Sequence, residues 1–286
     1  MTDNQSTAMT GGASAKKRRP YLTHTAPLFF AHRGGALLAP ENTLTAFARG
    51  VELGANALEL DIQTTREGEL VVIHDTAVDR TTNGNGAVAD YTLDDLRRLD
   101  AGYRFTPDAG QTYPFRGQGI SIPTLREVFT AFPTLRINID LKESTPQREQ
   151  RLWALIQELD ARERVLVASG ELHEPIVRFR KLSGGQVATS ASAREIRNFV
   201  IATWFGAARW LRPAYDALQV PEQWRGRRIV SPRTLAAAHR LGLDVHVWTV
   251  DNRADMDRLL RWGVDGLMSD RPDVLAQALN AVTTTK

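Results

Sequence analysis

The sequence predicts an α/β fold, a (β/α)8 TIM barrel with an insertion after the second strand, and three observations predict it. From residue 27 onward, short apolar runs alternate with longer amphipathic segments. Eight of those runs read as buried strands, beginning at Pro27, Asn56, Arg136, Arg164, Gln186, Ala217, Leu243 and Val264. The chain has 286 residues, which suits the roughly 250 that one such barrel needs once a short tail is set aside. Alternation repeated this often argues for parallel βαβ units. A doubly wound open sheet is the competing arrangement.

Residues 27–31 (PLFFA) form the continuous apolar run expected of a strand buried on both faces. Leu44, Phe47 and Val51 follow at helical spacing within residues 43–53. Residues 56–62 predict the second strand, and residues 70–73 a short further apolar run. Residues 136–141 (RINIDL) and 164–168 (RVLVA) are strand-like, with a helical stretch over 147–159 between them. Residues 186–189, 217–220, 243–250 and 264–268 continue the series, the first two being short. The rhythm breaks over residues 75–122, which carry Asn83-Gly84-Asn85-Gly86, Pro107 and Pro114. Only residues 92–99 are periodic there, and Thr92 with two acidic residues behind it marks a helix start. An insertion between the second strand and its helix would lie over the C-terminal face of a barrel.

A hydrophobic fraction of 42% against 24% charged residues supports a sizeable core. Cysteine is absent, so disulfides and thiolate metal sites are excluded. Any metal must then sit on carboxylates, histidines or carbonyls. The net charge of +3 is accounted for within residues 1–20, where Lys16, Lys17, Arg18 and Arg19 face Asp3. The rest of the chain balances, which argues against a nucleic-acid partner. Residues 1–26 read as a disordered basic tail and 27–286 as a single barrel domain. No run reaches the ~18 apolar residues of a membrane span, and the Ser/Thr/Gly-rich start lacks the apolar stretch of a signal peptide; a cytoplasmic protein is expected. Residues 195–212 are unusually aromatic for an outer helix, with Trp204, Phe205 and Trp210 among Arg197, Arg209 and Arg212. Peripheral contact with a membrane is one expectation for that segment. Ordinary packing of a long helix, against the barrel or a second subunit, is the other. The oligomeric state stays open.

The chemistry concentrates at strand ends. The first strand runs into His32-Arg33-Gly34-Gly35 and then Pro40-Glu41-Asn42-Thr43. Arg33 offers forked donors to a phosphate, and Asn42 or Thr43 could cap the next helix. Glu59 and Asp61 lie two apart on the second strand, so they project to one side together, away from Leu58, Leu60 and Ile62. Converging carboxylates repel and favour a cation between them. All-oxygen ligation points to one Mg2+, Mn2+ or Ca2+. His74 follows the apolar run 70–73 as a natural partner for His32. Two imidazoles supply a base for the attacking oxygen and an acid for the leaving alkoxide of a phosphodiester. Asn138, Asp140 and Lys142 share a face, where Asp140 could complete the metal shell and Lys142 could neutralise phosphate charge. Asp244, His246 and Trp248 share another face, and Trp248 could wall the site.

These motifs, in this order, resemble the glycerophosphodiester phosphodiesterase family: His32-Arg33-Gly34, Pro40-Glu41-Asn42-Thr43, Glu59-Leu60-Asp61, His74-Asp75 and Asn138-Ile139-Asp140-Leu141-Lys142. Val247-Trp248-Thr249-Val250 and Asp265-Gly266-Leu267-Met268-Ser269-Asp270-Arg271-Pro272 fit the later family patterns, so that the resemblance covers residues 29–275. It implies a (β/α)8 barrel with its site at the C-terminal ends of the strands. His32 and His74 would be the acid/base residues, Glu59 and Asp61 metal ligands, Arg33 and Lys142 phosphate contacts, and Glu41 a supporting group. The third ligand is usually a glutamate in this family; Asp140, one methylene shorter, stands there instead. The resemblance implies hydrolysis of glycerophosphodiesters to glycerol 3-phosphate and an alcohol. A lysophospholipase D acting on single-tailed lipids at a membrane, and a non-catalytic binding barrel, are the rival readings.

Overall fold

The computed structural model describes residues 18–142, 145–169 and 172–284, with side chains through residue 281. A 3-10 turn, Pro20–Leu22, precedes β1 (Leu28–His32), α1 (Leu44–Glu52), β2 (Ala57–Thr64) and β3 (Leu70–Val72). Next come α2 (Leu93–Arg97), α3 (Leu125–Ala131), β4 (Arg136–Leu141), α4 (Pro146–Glu158), β5 (Val165–Ala168), α5 (His173–Leu182), β6 (Ala188–Thr189) and α6 (Ala193–Trp204). After a 3-10 turn at Ala208–Trp210 follow β7 (Ala217–Pro221), β8 (Gln223–Trp224), β9 (Arg227–Arg228) and α7 (Pro232–Arg240). The last elements are β10 (Asp244–Trp248), α8 (Arg253–Trp262), β11 (Gly266–Ser269) and α9 (Pro272–Thr284).

Eight of these strands run parallel in the order β6-β5-β4-β2-β1-β11-β10-β7. They are the eight that the apolar runs predict. The seam between β6 and β7 is held by one parallel bridge, Ser190 to Ala217. Two hydrogen bonds accompany it, Ala191 N to Ala217 O and Asp216 N to Thr189 O, each 2.8 Å. The ring is thereby a nearly closed (β/α)8 barrel, and the open sheet is excluded. Strand β3 is not a stave: it folds back antiparallel on β2, pairing Ile62 with Val72 and Thr64 with Leu70.

Local sequence explains where the helices start. Thr92, Thr124 and Ser192 each open a helix with a capping box, their hydroxyls accepting from the third residue's N–H while its acid reaches back. Between β3 and α3 the segment builds a small core of its own from Val71, Ile73, Val78, Val88, Leu96, Ala101 and Ile122.

Strand alternation then sorts the barrel's two faces. Leu58, Leu60, Ile62, Ile137 and Ile139 enter the large outer core beneath the helices. Leu28, Phe30, Ala57, Leu166 and Met268 pack inside the ring with Tyr21 and Leu22. Midway up, Gln219 Nε2 donates to Asn138 Oδ1 at 2.7 Å and lies 3.2 Å from His246 Nδ1. Asp244 and His246 are both buried in this interior.

Two expectations need correction. Residues 1–17 of the expected disordered tail lie outside the described residues, but residues 18–26 belong to the folded body. Tyr21 and Leu22 are buried, Arg136 donates to Tyr21 O and Thr23 O at 2.7 Å each, and His24 Nε2 meets Asp244 Oδ2 at 2.8 Å. They form the floor of the barrel at the strands' N-terminal ends. The aromatic segment 195–212 is not one long helix: α6 stops at Trp204, and Gly206 turns with a φ of 70° that side chains resist.

Candidate active site

The predicted residues assemble at the C-terminal mouth because strand register puts them there. His32 ends β1 opposite Glu59 of β2, and Asp61 of β2 is level with Asp140 of β4. Glu59 and Asp61 face inward and are almost wholly buried. Arg33 and Asn42 both hold positive φ, 51° and 57°, which folds the β1–α1 loop over the acids. Thr43 caps α1 by accepting from Ala46 N. That leaves Asn42 free to donate from Nδ2 to Asp61 Oδ2 at 3.0 Å.

Each imidazole is braced by a carboxylate on its Nδ1. His32 Nδ1 is 2.7 Å from Asp270 Oδ1, and His74 Nδ1 is 2.6 Å from Asp75 Oδ1. Such a bond fixes the ring and leaves Nε2 directed elsewhere. His32 Nε2 lies 3.7 Å from Glu59 Oε2. Burial on its own would lower the pKa of His32; the charge of Glu59 and the contact with Asp270 overcome it and raise it to about 9. Asp270 is itself positioned, since Asp251 Oδ1 accepts from its N–H at 2.8 Å. His74, carried past β3, is near enough to Asp61 for its cationic form to help hold the Asp61 carboxyl below the ordinary value, after Lys142 and Arg33. Gln63 Nε2 donates to its carbonyl at 3.1 Å.

A clasp joins the two imidazole-bearing segments. Arg80 donates to Glu41 at 2.7 and 2.8 Å and to Asp75 at 2.6 Å. Glu41 also accepts from Arg33 NH1 at 3.1 Å. Burial would raise the Glu41 pKa, but Arg80 and Arg33 hold it below the ordinary value. Arg33 Nε stands 3.3 Å from Asp61 Oδ2.

The acids carry more negative charge than the site neutralises. Burial, followed by the charge of Asp61, pushes the Glu59 pKa up to about 7. Burial acts the same way on Asp61, but Lys142 and Arg33 outweigh it and lower its pKa. Lys142 Nζ spans Asp140 Oδ2 at 2.6 Å and Asp61 Oδ1 at 3.2 Å. Asp61 Oδ1 and Asp140 Oδ1 are nonetheless buried without a well-directed hydrogen-bond donor. Orphaned carboxylate oxygens beside an acid forced toward neutrality are what a hard divalent cation satisfies, so this donor set fits one. Among the described residues no three such groups are gathered into a finished cage, and the Lys142 ammonium bridges two of the acids.

Trp248 ends β10 at the rim, beside Pro221 and 39% exposed, while Asp244 and His246 of the same strand point into the interior below. Sequence reading did not assign Asp270, Asp75, Arg80 or Asn42. Three had a weak local signal, since Asp75 and Asn42 stand inside motifs and Asp270 directly follows an apolar strand, while Arg80 had none.

The model of the glycerophosphoryl diester phosphodiesterase family matches residues 32–274. The chain is 36% identical to a glycerophosphodiester phosphodiesterase of Caldanaerobacter subterraneus subsp. tengcongensis, over 87% of this chain and 96% of that protein. It is 32% identical to one of Bacillus subtilis, over 91% and 89%. Among solved structures, a glycerophosphoryl diester phosphodiesterase domain from Mycobacterium tuberculosis shares the fold with a TM-score of 0.76 at 21% identity, covering 88% of this chain and 98% of that one.

Proposed function

The chain belongs to the glycerophosphoryl diester phosphodiesterase family and is a phosphoric diester hydrolase, and from that premise we propose that His32 and His74 perform the acid/base work on a glycerophosphodiester held over Glu59, Asp61 and Asp140. The carrying observation is the paired bracing of the imidazoles by Asp270 and Asp75, which aims two Nε2 atoms while the acids lie between their strands.

In this reading Arg33 and Lys142 hold the phosphoryl oxygens, Glu41 steadies Arg33, and Trp248 walls the alcohol side. His74, its Nδ1 tied to Asp75, takes the proton from the attacking hydroxyl at Nε2. His32, protonated because Glu59 and Asp270 favour its cationic form, gives its proton to the leaving oxygen as the P–O bond breaks. Glu59, Asp61 and Asp140 would hold Mg2+, Mn2+ or Ca2+; bound there, the cation polarises the phosphoryl group and acidifies the attacking hydroxyl. The attacker is either the substrate's neighbouring glycerol hydroxyl, giving a cyclic phosphate opened later, or water directly. An analogue lacking that hydroxyl separates the routes, since undiminished cleavage excludes the cyclic one. The products are glycerol 3-phosphate and an alcohol.

Replacing His32 or His74 with Ala should lower kcat for glycerophosphocholine by about 10²–10⁴-fold while circular dichroism stays native. Full activity in either variant removes the assignment. EDTA should abolish turnover and add-back of Mg2+, Mn2+ or Ca2+ restore it; indifference to EDTA removes the cation. A second reading, lysophospholipase D at a membrane surface, draws on Phe205 and Trp210, which are 82% and 66% exposed. Faster cleavage of lysophosphatidylcholine than of glycerophosphocholine would favour it. Among the described residues no helix is long and apolar enough to cross a membrane.

A further inference from the structure

Beside the mouth, outside the site described above, lies a surface whose composition the catalytic chemistry does not use. Residues 196–215 and 223–234 together hold seven arginines and no aspartate or glutamate. The rest of the chain beyond residue 20 must therefore carry an offsetting negative charge, since residues 1–20 already account for the whole net +3. Within those two segments Trp204, Phe205, Trp210 and Trp224 are 43%, 82%, 66% and 57% exposed. Large aromatics at such exposure, set among arginines of which Arg228 meets Glu222 at 3.6 Å while most others meet no carboxylate among the described residues, are not core residues left over.

The two segments are neighbours in space. Trp224 pairs with Arg227 across the β8–β9 hairpin, and the Arg227 guanidinium sits 5.9 Å above the ring of Trp204 at the end of α6. Arg233 NH2, at the start of α7, donates to the carbonyls of Thr203 and Trp204 at 3.0 and 3.1 Å, which locks the helix end to this edge. Arg225 lies 6.0 Å over Trp224 and Arg209 4.4 Å over Trp210. Among the described residues Arg209, Arg212, Arg225 and Arg227 make no ion pair with a carboxylate. The hairpin leaves the C-terminal end of β7, whose Pro221 is level with Trp248, so it borders the catalytic mouth.

We propose that the β8–β9 hairpin and the end of α6 form a docking surface for an anionic lipid bilayer, seating the mouth against the headgroup layer. The occupant follows from charge and shape. Indoles and guanidiniums suit the depth where acyl chains meet headgroups, and arginines near an anionic leaflet are each attracted by about 1 kcal/mol, roughly fivefold in affinity. Residues 223–228 of the hairpin are all exposed and Phe205 follows the helix end at 82% exposure, and aromatics offered to solvent beside arginines suit insertion into a bilayer more than cradling a nucleic-acid groove. The idea rests on the phosphodiesterase reading for its purpose: glycerophosphodiesters are deacylated phospholipids, and a docked enzyme meets them where they are released.

The test uses the full chain with vesicles of phosphatidylglycerol and phosphatidylcholine, against vesicles of phosphatidylcholine alone. The expected result is co-sedimentation with the anionic vesicles only, weakened by salt and accompanied by a blue shift of tryptophan emission. The double variants Phe205→Ser/Trp224→Ser and Arg225→Glu/Arg227→Glu should each weaken binding at least about tenfold. Both should hydrolyse soluble glycerophosphocholine at the wild-type rate. No sedimentation at low salt overturns the proposal. So does binding that survives both variants and disappears when Lys16–Arg19 are neutralised, or dimerisation that the serine pair abolishes without any vesicle binding. Hydrolysis of glycerophosphocholine in the same samples is a separate readout: its absence in the wild-type chain would sink the enzymatic reading and leave the docking result standing.

Discussion

Asp270 stands 2.7 Å behind His32 and reaches it across a sequence separation of 238 residues. Replacing Asp270 with Asn keeps the shape and removes the charge that helps lift the His32 pKa to about 9. The basic limb of the kcat/KM profile should therefore move to lower pH, by about one unit or more; an unmoved limb means that His32 is not the titrating acid. The same shifts bear on stability. The folded-state pKa of His32 lies above its ordinary 6.5, so its contribution is complete below that pH and is lost as pH rises through about 9. Glu59, raised from 4.5 to about 7, loses its contribution over that lower interval in the same direction. Cation-free protein should thus melt earlier as pH climbs from 5 to 9. Saturating Mg2+, Mn2+ or Ca2+ should restore roughly 5 °C at pH 8 and much less at pH 5, where Glu59 keeps its proton. Differential scanning fluorimetry reads both trends, and equal shifts at both pH values would exclude Glu59 as a ligand. Glu59, Asp61 and Asp140 were legible as face-sharing residues because strand alternation tells which side chains project together, and His32 and His74 because each directly follows an apolar run. Asp270 and Arg80 were not, because their partners arrive from distant parts of the chain and no local period announces them.

At the scale of elements, the β1–α1 connection is a tight joint. Gly34 has a φ of 89°, and a methyl group there would stand 2.6 Å from Ala46 Cβ and 2.7 Å from the Ala46 backbone carbon. Gly34→Ala should cost roughly 3 kcal/mol, from backbone strain and overpacking together, and lower the urea midpoint accordingly; an unchanged midpoint would show that the loop yields. The eight staves were readable as apolar runs, even β6, which is only two residues long, pairs with β5 and reaches β7 through the bridge from Ser190. The capping of α2 was readable too, since Thr92 and Asp95 lie at the spacing a capping box requires. The break after Trp204 was harder: apolar residues continue past Gly206, with Leu211 seven positions after Trp204, and the pattern conceals a turn that backbone conformation imposes.

For the whole molecule, the unexpected part is the floor. Leu22 is 2% exposed and packs with Phe30 and Met268 inside the ring. Composition alone assigned this stretch to a tail, because three residues of turn leave no periodicity and the basic cluster before them dominates the local reading. Leu22→Ala should destabilise the barrel by about 3 kcal/mol, a fall in Tm of roughly 6–12 °C for a chain of this size, whereas a frayed tail would tolerate it without change.

That stopper has a consequence for traffic. With Tyr21 and Leu22 plugging the bottom of the barrel, the described residues leave no through-passage, and under the proposed function reactant and both fragments would share the doorway at the top. Whichever fragment leaves second would then hold up the next molecule until it had backed out along the path it came in.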